Sequence, residues 1–205
     1  MMCRIIFAII IAFCLMVGSS AEAEEPSPSR VVEVLHDSLL AMMKDADALG
    51  FNGRSQHMKP VVAKSFDLPM IAVLASGNNW KGFDEAQRGQ LTSALERLSV
   101  ATYAGRFNGY SGESFRTISE GPAEQGMVFV NTELIKGDGD TIALKYLLRP
   151  SKVGWRIIDV YFLGFMSELG MRRSEYASVF KNEGYDGLLA AINKKAADYE
   201  AGLLR

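Results

Sequence analysis

One carboxylic acid stands in an otherwise apolar segment of the chain. Asp159 lies within the sequence Trp-Arg-Ile-Ile-Asp-Val-Tyr-Phe, which runs from Trp155 to Phe162. A carboxylate in such surroundings can be desolvated and tuned for general acid–base chemistry. Because neighbouring residues of a strand face opposite sides, Asp159 should share its side with Ile157 and Tyr161. Three roles are open to it: a structural acid that accepts hydrogen bonds, a group that orients a ligand, and a catalytic acid or base.

No second group with suitable spacing accompanies this acid in the sequence. The two histidines, His36 and His57, belong to neither a His-x-His nor a His-Glu-x-x-His motif, so no zinc site is predicted. The segment Gly137–Asp140 reads Gly-Asp-Gly-Asp, but it lacks the later glutamate of a calcium loop and predicts a hairpin turn. No nucleophile elbow, phosphate-binding loop or dinucleotide-binding fingerprint occurs either. We therefore predict no catalytic residue, no metal and no cofactor, and we expect that the protein is not an enzyme.

The first 23 residues have the layout of a secretory signal peptide. Arg4 is the only charge before Glu22, and thirteen consecutive apolar residues run from Ile5 to Val17 before a stretch of small residues. This run is short for a membrane-spanning helix, which needs about 20 residues, but it suits a signal peptide. The sequence therefore predicts cleavage after Ala21 or Ala23 and export, with an uncleaved anchor as the alternative.

The mature region, residues 24–205, is predicted to be a single domain. Its 182 residues (205 minus 23) are enough for one sizeable core. Both cysteines, Cys3 and Cys14, lie in the predicted signal peptide, so the mature chain can form no disulfide. Loss of Arg4 and Glu22 leaves 21 basic and 23 acidic residues and a net charge of −2. This balance provides no basic surface for nucleic acid, and no nucleic-acid partner is predicted.

The spacing of apolar residues predicts an α+β fold. Recurrence at three and four residues predicts helices over residues 30–49, 55–65, 67–76 and 84–108. Alternation then predicts four strands, at 114–119, 127–136, 141–149 and 155–163. Helical spacing returns over 165–181 and 187–202. We expect a meandering antiparallel sheet covered by the N- and C-terminal helices. The many large apolar residues on these elements fit a solid core, or a core that leaves room for a ligand.

Several short motifs in the chain resemble those of a known protein family. They are Trp-Arg-Ile-Ile-Asp-Val followed by Gly164, Glu175 before Tyr176, and Gly-Tyr-Asp-Gly-Leu from Gly184 to Leu188. With these marks the chain resembles, over residues 31–199, the MlaC-like periplasmic phospholipid carriers, also called the toluene-tolerance auxiliary family. Arg-Arg-Ser-Glu-Tyr at Arg172–Tyr176 looks more like the hopanoid-associated, HpnM-like branch of that family.

The resemblance implies a curved four-stranded sheet and helices around an apolar cavity that holds lipid. It implies a periplasmic carrier that shuttles phospholipid or a hopanoid-type lipid between inner and outer membranes, as part of an ABC- or RND-type transport system. The expected partners are the lipid, an inner-membrane lipid transporter and an outer-membrane acceptor complex, with transient membrane contact. A non-catalytic interaction module of a lipid-transport assembly is the alternative. A lipid-modifying enzyme that uses Asp159 is a second, less favoured alternative.

Apolar residues of the sheet and of the covering helices are the candidates for the lining of such a cavity. We expect ligand contacts from Leu74, Leu95, Leu98, Phe107, Phe129, Ile142, Leu144, Tyr146, Leu148, Val160 and Phe162. Lys145, Arg149 and Arg156 are the candidate partners of a lipid phosphate at the cavity mouth.

Overall fold

Five α-helices and one antiparallel sheet form the part of the chain described by the computed structural model, residues 26–204. The predicted signal peptide therefore lies outside the described residues. The helices are α1 (Pro28–Lys44), α2 (Ala46–Ser65), α3 (Leu68–Ser76), α4 (Glu85–Arg106) and α5 (Glu168–Glu200). The strands are β1 (Ser114–Pro122), β2 (Val128–Ile135), β3 (Thr141–Ser151), β4 (Gly154–Phe162) and β5 (Met166–Ser167). The predicted α+β class and antiparallel meander are confirmed. No helix within these residues is both long and apolar enough to span a membrane.

The sheet has five strands rather than the four predicted. The additional strand, β5, contains only Met166 and Ser167, and two residues are too few to show an alternating pattern. The first helix ends at Lys44, before the predicted end near Leu49. The predicted break between the last two helices is present, because α5 is interrupted at Gly184. Gly184 has φ 68° and ψ −163°, a conformation that glycine adopts without steric cost and that breaks the helical ladder.

Polar side chains cap the N-termini of α3 and α4 at the predicted positions. The Asp67 carboxylate accepts a hydrogen bond from the backbone N–H of Met70 (3.1 Å) at the start of α3. At the start of α4, Asp84 and Gln87 each accept a hydrogen bond from the other's backbone N–H, which completes a capping box. Such caps satisfy N–H groups that lack a partner within the helix.

The strands follow one another in the order β1-β2-β3-β4-β5. Opposite residues pair Leu144 with Phe162, and Tyr146 with Val160. The register shifts by one residue after Leu147, which places Leu148 opposite Ile157. Because side chains alternate along a strand, one face of the sheet carries these large apolar residues toward the helices.

Neighbouring elements cover both edges of the sheet in part. On the β4 side, β5 pairs with one end of β4, while Phe66 bridges to Ile157 farther back along the strand. On the β1 side, the Glu120 carboxylate accepts hydrogen bonds from the N–H (3.0 Å) and hydroxyl (2.6 Å) of Ser29 in the first turn of α1. A bulge between Thr117 and Ser119 interrupts the β1–β2 ladder.

Two clusters of buried apolar residues form the core. The first lies between α1, α2, α3 and the sheet, and includes Val32, Leu35, Met58, Val130 and Leu148. The second lies between α3, α4 and α5, and includes Leu91, Leu95, Leu98, Leu188 and Ile192. Helix α4 contributes residues to both clusters, since its Val100 belongs to the first. It is therefore buried on two sides, one toward α5 and the other toward α2.

Candidate functional site

A cavity of about 140 Å³ lies between α4, the inner face of the sheet and the first turns of α5. Its walls are mostly apolar, and its polar residues are few. The sheet side of the lining consists of Leu144, Tyr146, Ile158, Asp159, Val160 and Phe162. The helix side consists of Leu39, Phe66, Ile71, Ser99, Thr102, Tyr103, Arg106, Phe107, Glu168, Leu169 and Arg172. An apolar space with a few polar groups at one place is the usual character of a small-molecule site.

Five of the residues predicted to contact ligand line this cavity. They are Phe107, Leu144, Tyr146, Val160 and Phe162. Four of the five lie on the paired strands β3 and β4, where alternation fixes which side chains share a face. The sequence pattern thus predicts more of the lining residues on the strands than of those on the helices.

The other six predicted residues lie away from the cavity lining. Leu148 is fully buried in the first core cluster, and Leu74 and Ile142 pack against that cluster. Leu95 and Leu98 belong to the second cluster, where α4 meets α5. Phe129 pairs with Leu147 on the other face of the sheet, and its ring lies 5.9 Å from that of Tyr161.

The two buried sides of α4 explain this distribution. Its strongest apolar stripe, which includes Leu95 and Leu98, packs against α5. Its cavity-facing positions include Ser99, Thr102 and Tyr103 instead. A set of three hydroxyl-bearing residues does not appear as an apolar stripe, although its spacing of three and four residues defines one helix face. That spacing was the signal that could have identified this side of the site.

Two arginines and one glutamate are the charged residues of α4 and α5 at the cavity. The Arg172 guanidinium lies 3.0 Å from the Glu168 carboxylate. The Arg106 guanidinium lies 5.8 Å from the centre of the Phe162 ring. Burial raises the pKa of the nearby Tyr103 phenol; Glu168 also raises it, whereas Arg172 and Arg106 lower it. These groups form the polar end of the cavity.

The three cations predicted for a lipid phosphate have other partners. The Lys145 ammonium lies 4.7 Å from the ring centres of both Phe129 and Tyr161. Arg149 pairs with Asp67 at 2.8 Å, and Arg156 donates to a neighbouring backbone carbonyl. Arg106 and Arg172, which were not among the predicted phosphate partners, line the cavity instead.

A buried histidine supports the cavity wall from behind. His36 Nε2 lies 2.9 Å from the hydroxyl of Tyr146, and its ring stacks on that of Phe115 with centres 3.9 Å apart. Burial lowers the pKa of His36 to about 3, so the ring is neutral near pH 7. Burial also raises the pKa of Tyr146 well above its usual value. This neutral pair fixes the position of a lining residue.

Asp159 holds the corner between β4 and α5. Its carboxylate accepts hydrogen bonds from the Ser167 hydroxyl (2.5 Å), the Leu169 N–H (2.9 Å) and the Val160 N–H (2.8 Å). A carboxylate at the start of a helix satisfies free N–H groups and interacts favourably with the helix dipole. These contacts are those of a structural acid. Among the described residues, no cluster of three or more His, Cys, Asp or Glu side chains could hold a metal ion.

Comparison with known proteins shows the family of this chain. No curated protein sequence matches it significantly. A phospholipid-binding protein from Ralstonia solanacearum, solved in complex with a phospholipid, has a similar fold, with a TM-score of 0.73 and 21% sequence identity. The match covers 83% of this chain and 97% of that one. The family model described as MlaC protein matches residues 33–194. Because this match spans most of the 205 residues, the chain belongs to the MlaC family.

Proposed function

We propose that this protein is a lipid-binding carrier, not an enzyme, and that it holds lipid acyl chains in the cavity between α4 and the sheet. The observation that carries the proposal is the apolar cavity whose lining includes two arginines. The similar protein from Ralstonia solanacearum, whose complex contains a phospholipid, supports a lipid as the ligand. Moving acyl chains from a bilayer into such a cavity exchanges one apolar environment for another. Loading and unloading can therefore be nearly balanced in free energy.

The cavity must widen to accept a lipid. Ligand pockets usually measure about 300–1,000 Å³, whereas this one measures about 140 Å³. The segment of α5 before Gly184 is the wall best placed to move, because the helical ladder is interrupted there. Its first turns contribute Glu168, Leu169 and Arg172 to the lining. Outward rotation of this segment would open the space between α4 and β4.

The polar end of the cavity is suited to the lipid head group. Arg106 and Arg172 are the cations of the lining, and a guanidinium binds phosphate oxygens through two parallel N–H donors. Arg172 already pairs with Glu168, so a phosphate would compete with that carboxylate. Substitution of Arg106 by Gln should therefore weaken phospholipid binding more than binding of a lipid without phosphate. Lipid uptake from vesicles of each type measures this difference.

Membership of the family supports a cellular setting for the carrier. We infer a mature domain over residues 24–205, located in the periplasm after signal-peptide cleavage. There it would pass lipid between an inner-membrane transporter and an outer-membrane acceptor complex. A phospholipid is a better-supported ligand than a hopanoid, because the similar protein from Ralstonia solanacearum was solved with a phospholipid. Mass spectrometry of extracted lipid distinguishes the two.

The small cavity volume favours one alternative, an interaction module without a ligand. Organic extraction of freshly purified protein, followed by mass spectrometry and an uptake assay with phospholipid vesicles, tests both functions. A carrier contains lipid in stoichiometric amount, and a Leu144→Trp variant that fills the cavity contains far less. If the wild-type protein contains no lipid and takes none from vesicles, the carrier proposal is wrong and the interaction module is supported.

A further inference from the structure

The turn between β4 and β5 exposes three large apolar side chains within four residues. Leu163 is 55% exposed, Phe165 is 72% exposed and Met166 is 41% exposed. The turn is well defined, because the Phe165 N–H donates to the Phe162 carbonyl at 3.2 Å. The Gly164 N–H also donates, at 3.1 Å, to a carbonyl of β3. The turn therefore holds the three side chains outward on a fixed support.

Leu163 occupies a backbone conformation that leucine rarely adopts. Its φ is 53°, and that of Gly164 is 75°. Tight hairpin turns with positive φ at both central positions favour Asn or Gly at the first of them. A leucine there is strained, and its side chain gains little from burial. The folded state alone thus gives no reason for this residue, and an exposed strained position is a common sign of function.

This apolar turn borders the cavity on two sides. Phe162, the residue before it, lines the cavity, and Glu168 and Arg172 line it just after the turn. The Arg106 guanidinium lies against the Phe162 ring, at 5.8 Å from its centre. None of the ion pairs within residues 26–204 includes Arg106. Arg106 is the one exposed residue among those that line the cavity, so the cavity opens beside Arg106 and the Phe162 ring. The turn thus combines exposed apolar side chains with a cation at this opening.

We propose that the β4–β5 turn, Leu163–Met166, inserts into the surface of an anionic phospholipid bilayer and sets the cavity mouth against it. This inference rests on the proposed carrier function. Apolar side chains next to cations are the combination that binds membrane interfaces, where the side chains enter the acyl region and the cations meet lipid phosphates. An acyl chain could then pass from bilayer to cavity without crossing water.

The size of the patch favours a lipid surface over a protein partner. A stable protein interface buries about 800 Å² on each partner, and three side chains on one turn fall far short of that area. Binding to a bilayer surface scales with the buried apolar area and the attraction of cations to anionic lipid, so a few large side chains beside a cation contribute to it. The position of the cavity mouth beside the turn adds a reason specific to lipid exchange.

Vesicle binding and lipid exchange by turn variants test the proposal. The probe is vesicles of phosphatidylcholine with about one quarter phosphatidylglycerol, and co-sedimentation and the rate of lipid transfer are measured. Phe165→Ser should lower both by about tenfold, the effect of removing one large apolar side chain from its buried state. The matched control is Val153→Ser, because Val153 is a 68% exposed apolar residue on the β3–β4 turn, at the other end of β4.

A second variant separates membrane contact from stability. Leu163→Gly removes the apolar side chain and also relieves the strained φ, so its melting temperature should be no lower than that of the wild type. Its exchange rate should nevertheless fall. Unchanged vesicle binding and exchange in both turn variants, or an equal loss in the Val153 control, would overturn the proposal. If the turn variants bind and exchange with protein-free vesicles like the wild type but fail to transfer lipid to a partner protein, the turn is a protein-docking site and the proposal is wrong.

The same measurements test membrane docking and the carrier function separately. If the wild-type protein extracts with bound lipid and the turn variants bind vesicles like the wild type, membrane docking is wrong and the carrier function stands. If the wild-type protein carries no lipid and takes none from vesicles, the carrier function is wrong. Turn-dependent co-sedimentation would then still support membrane docking, and its absence would refute it.

Discussion

Replacement of Ser99 by leucine should stabilise the lipid-free protein and impair lipid binding. Ser99 lies on α4, is 8% exposed and faces the cavity. Leucine adds two carbon-sized groups and replaces a hydroxyl by carbon. At about 0.8 kcal/mol for each buried CH₂, the added groups contribute about 1.6 kcal/mol to stability if they occupy empty space. For a domain of this size, that corresponds to a rise in melting temperature of about 3–6 °C.

Thermal unfolding of delipidated protein measures the first effect, and lipid uptake from vesicles measures the second. A lipid would have to displace the new side chain, and overpacking by two carbons costs about 1–3 kcal/mol, so binding should weaken by about 5- to 150-fold. Ser93→Leu is the control, because Ser93 is an exposed residue of the same helix and reports helix propensity alone. If Ser99→Leu lowers the melting temperature, or leaves lipid uptake unchanged, the cavity is not the empty ligand space inferred here.

Three further predictions concern residues that hold the site in place. His36 has a folded-state pKa of about 3, below the ordinary 6.5, so stability present above pH 6.5 is lost as pH falls toward 3. Between pH 7 and pH 5 the free energy of unfolding falls by about 2 kcal/mol because of this residue. In denaturant unfolding, the stability of His36→Gln should therefore depend less steeply on pH over this range. Asp159→Asn should lower stability by about 1–3 kcal/mol in urea unfolding yet retain bound lipid; loss of lipid from folded protein would contradict a purely structural role. Asp67→Ala should be less stable than Asp67→Asn by about 1 kcal/mol, because Asn preserves the cap of α3; equal unfolding midpoints would refute that assignment.

The sequence predicted the elements that local signals specify. Alternating apolar residues located β1 to β4 within a few residues, and Asp67 and Asp84 marked the starts of α3 and α4. Strand alternation also placed Leu144, Tyr146 and their partners on one face. These features depend on residues that are close in the chain or directly paired, which is the information that periodicity contains.

The site residues that the sequence did not predict depend on contacts between segments that are distant in the chain. Leu95 and Leu98 were expected at the cavity because they are apolar, but their helix is buried on two sides and they face α5. The roles of Arg106 and Arg172 require α4 and α5 to meet at the end of β4. No spacing in the sequence reports that meeting. The exposed turn at Leu163 was likewise invisible, because positive φ is expected of its glycine neighbour and not of leucine.

The bulge in β1 affects how the protein behaves when many copies are present. An edge strand with a regular row of free N–H and C=O groups can pair with a second molecule and begin aggregation. Here the register shift beside Ile118 interrupts that row, and Ser29 of α1 binds Glu120 near the end of the strand. A second copy would therefore find no continuous ladder to extend. Deletion of Ile118 would make the edge regular, and we expect it to promote assembly into sheet-rich aggregates at high protein concentration.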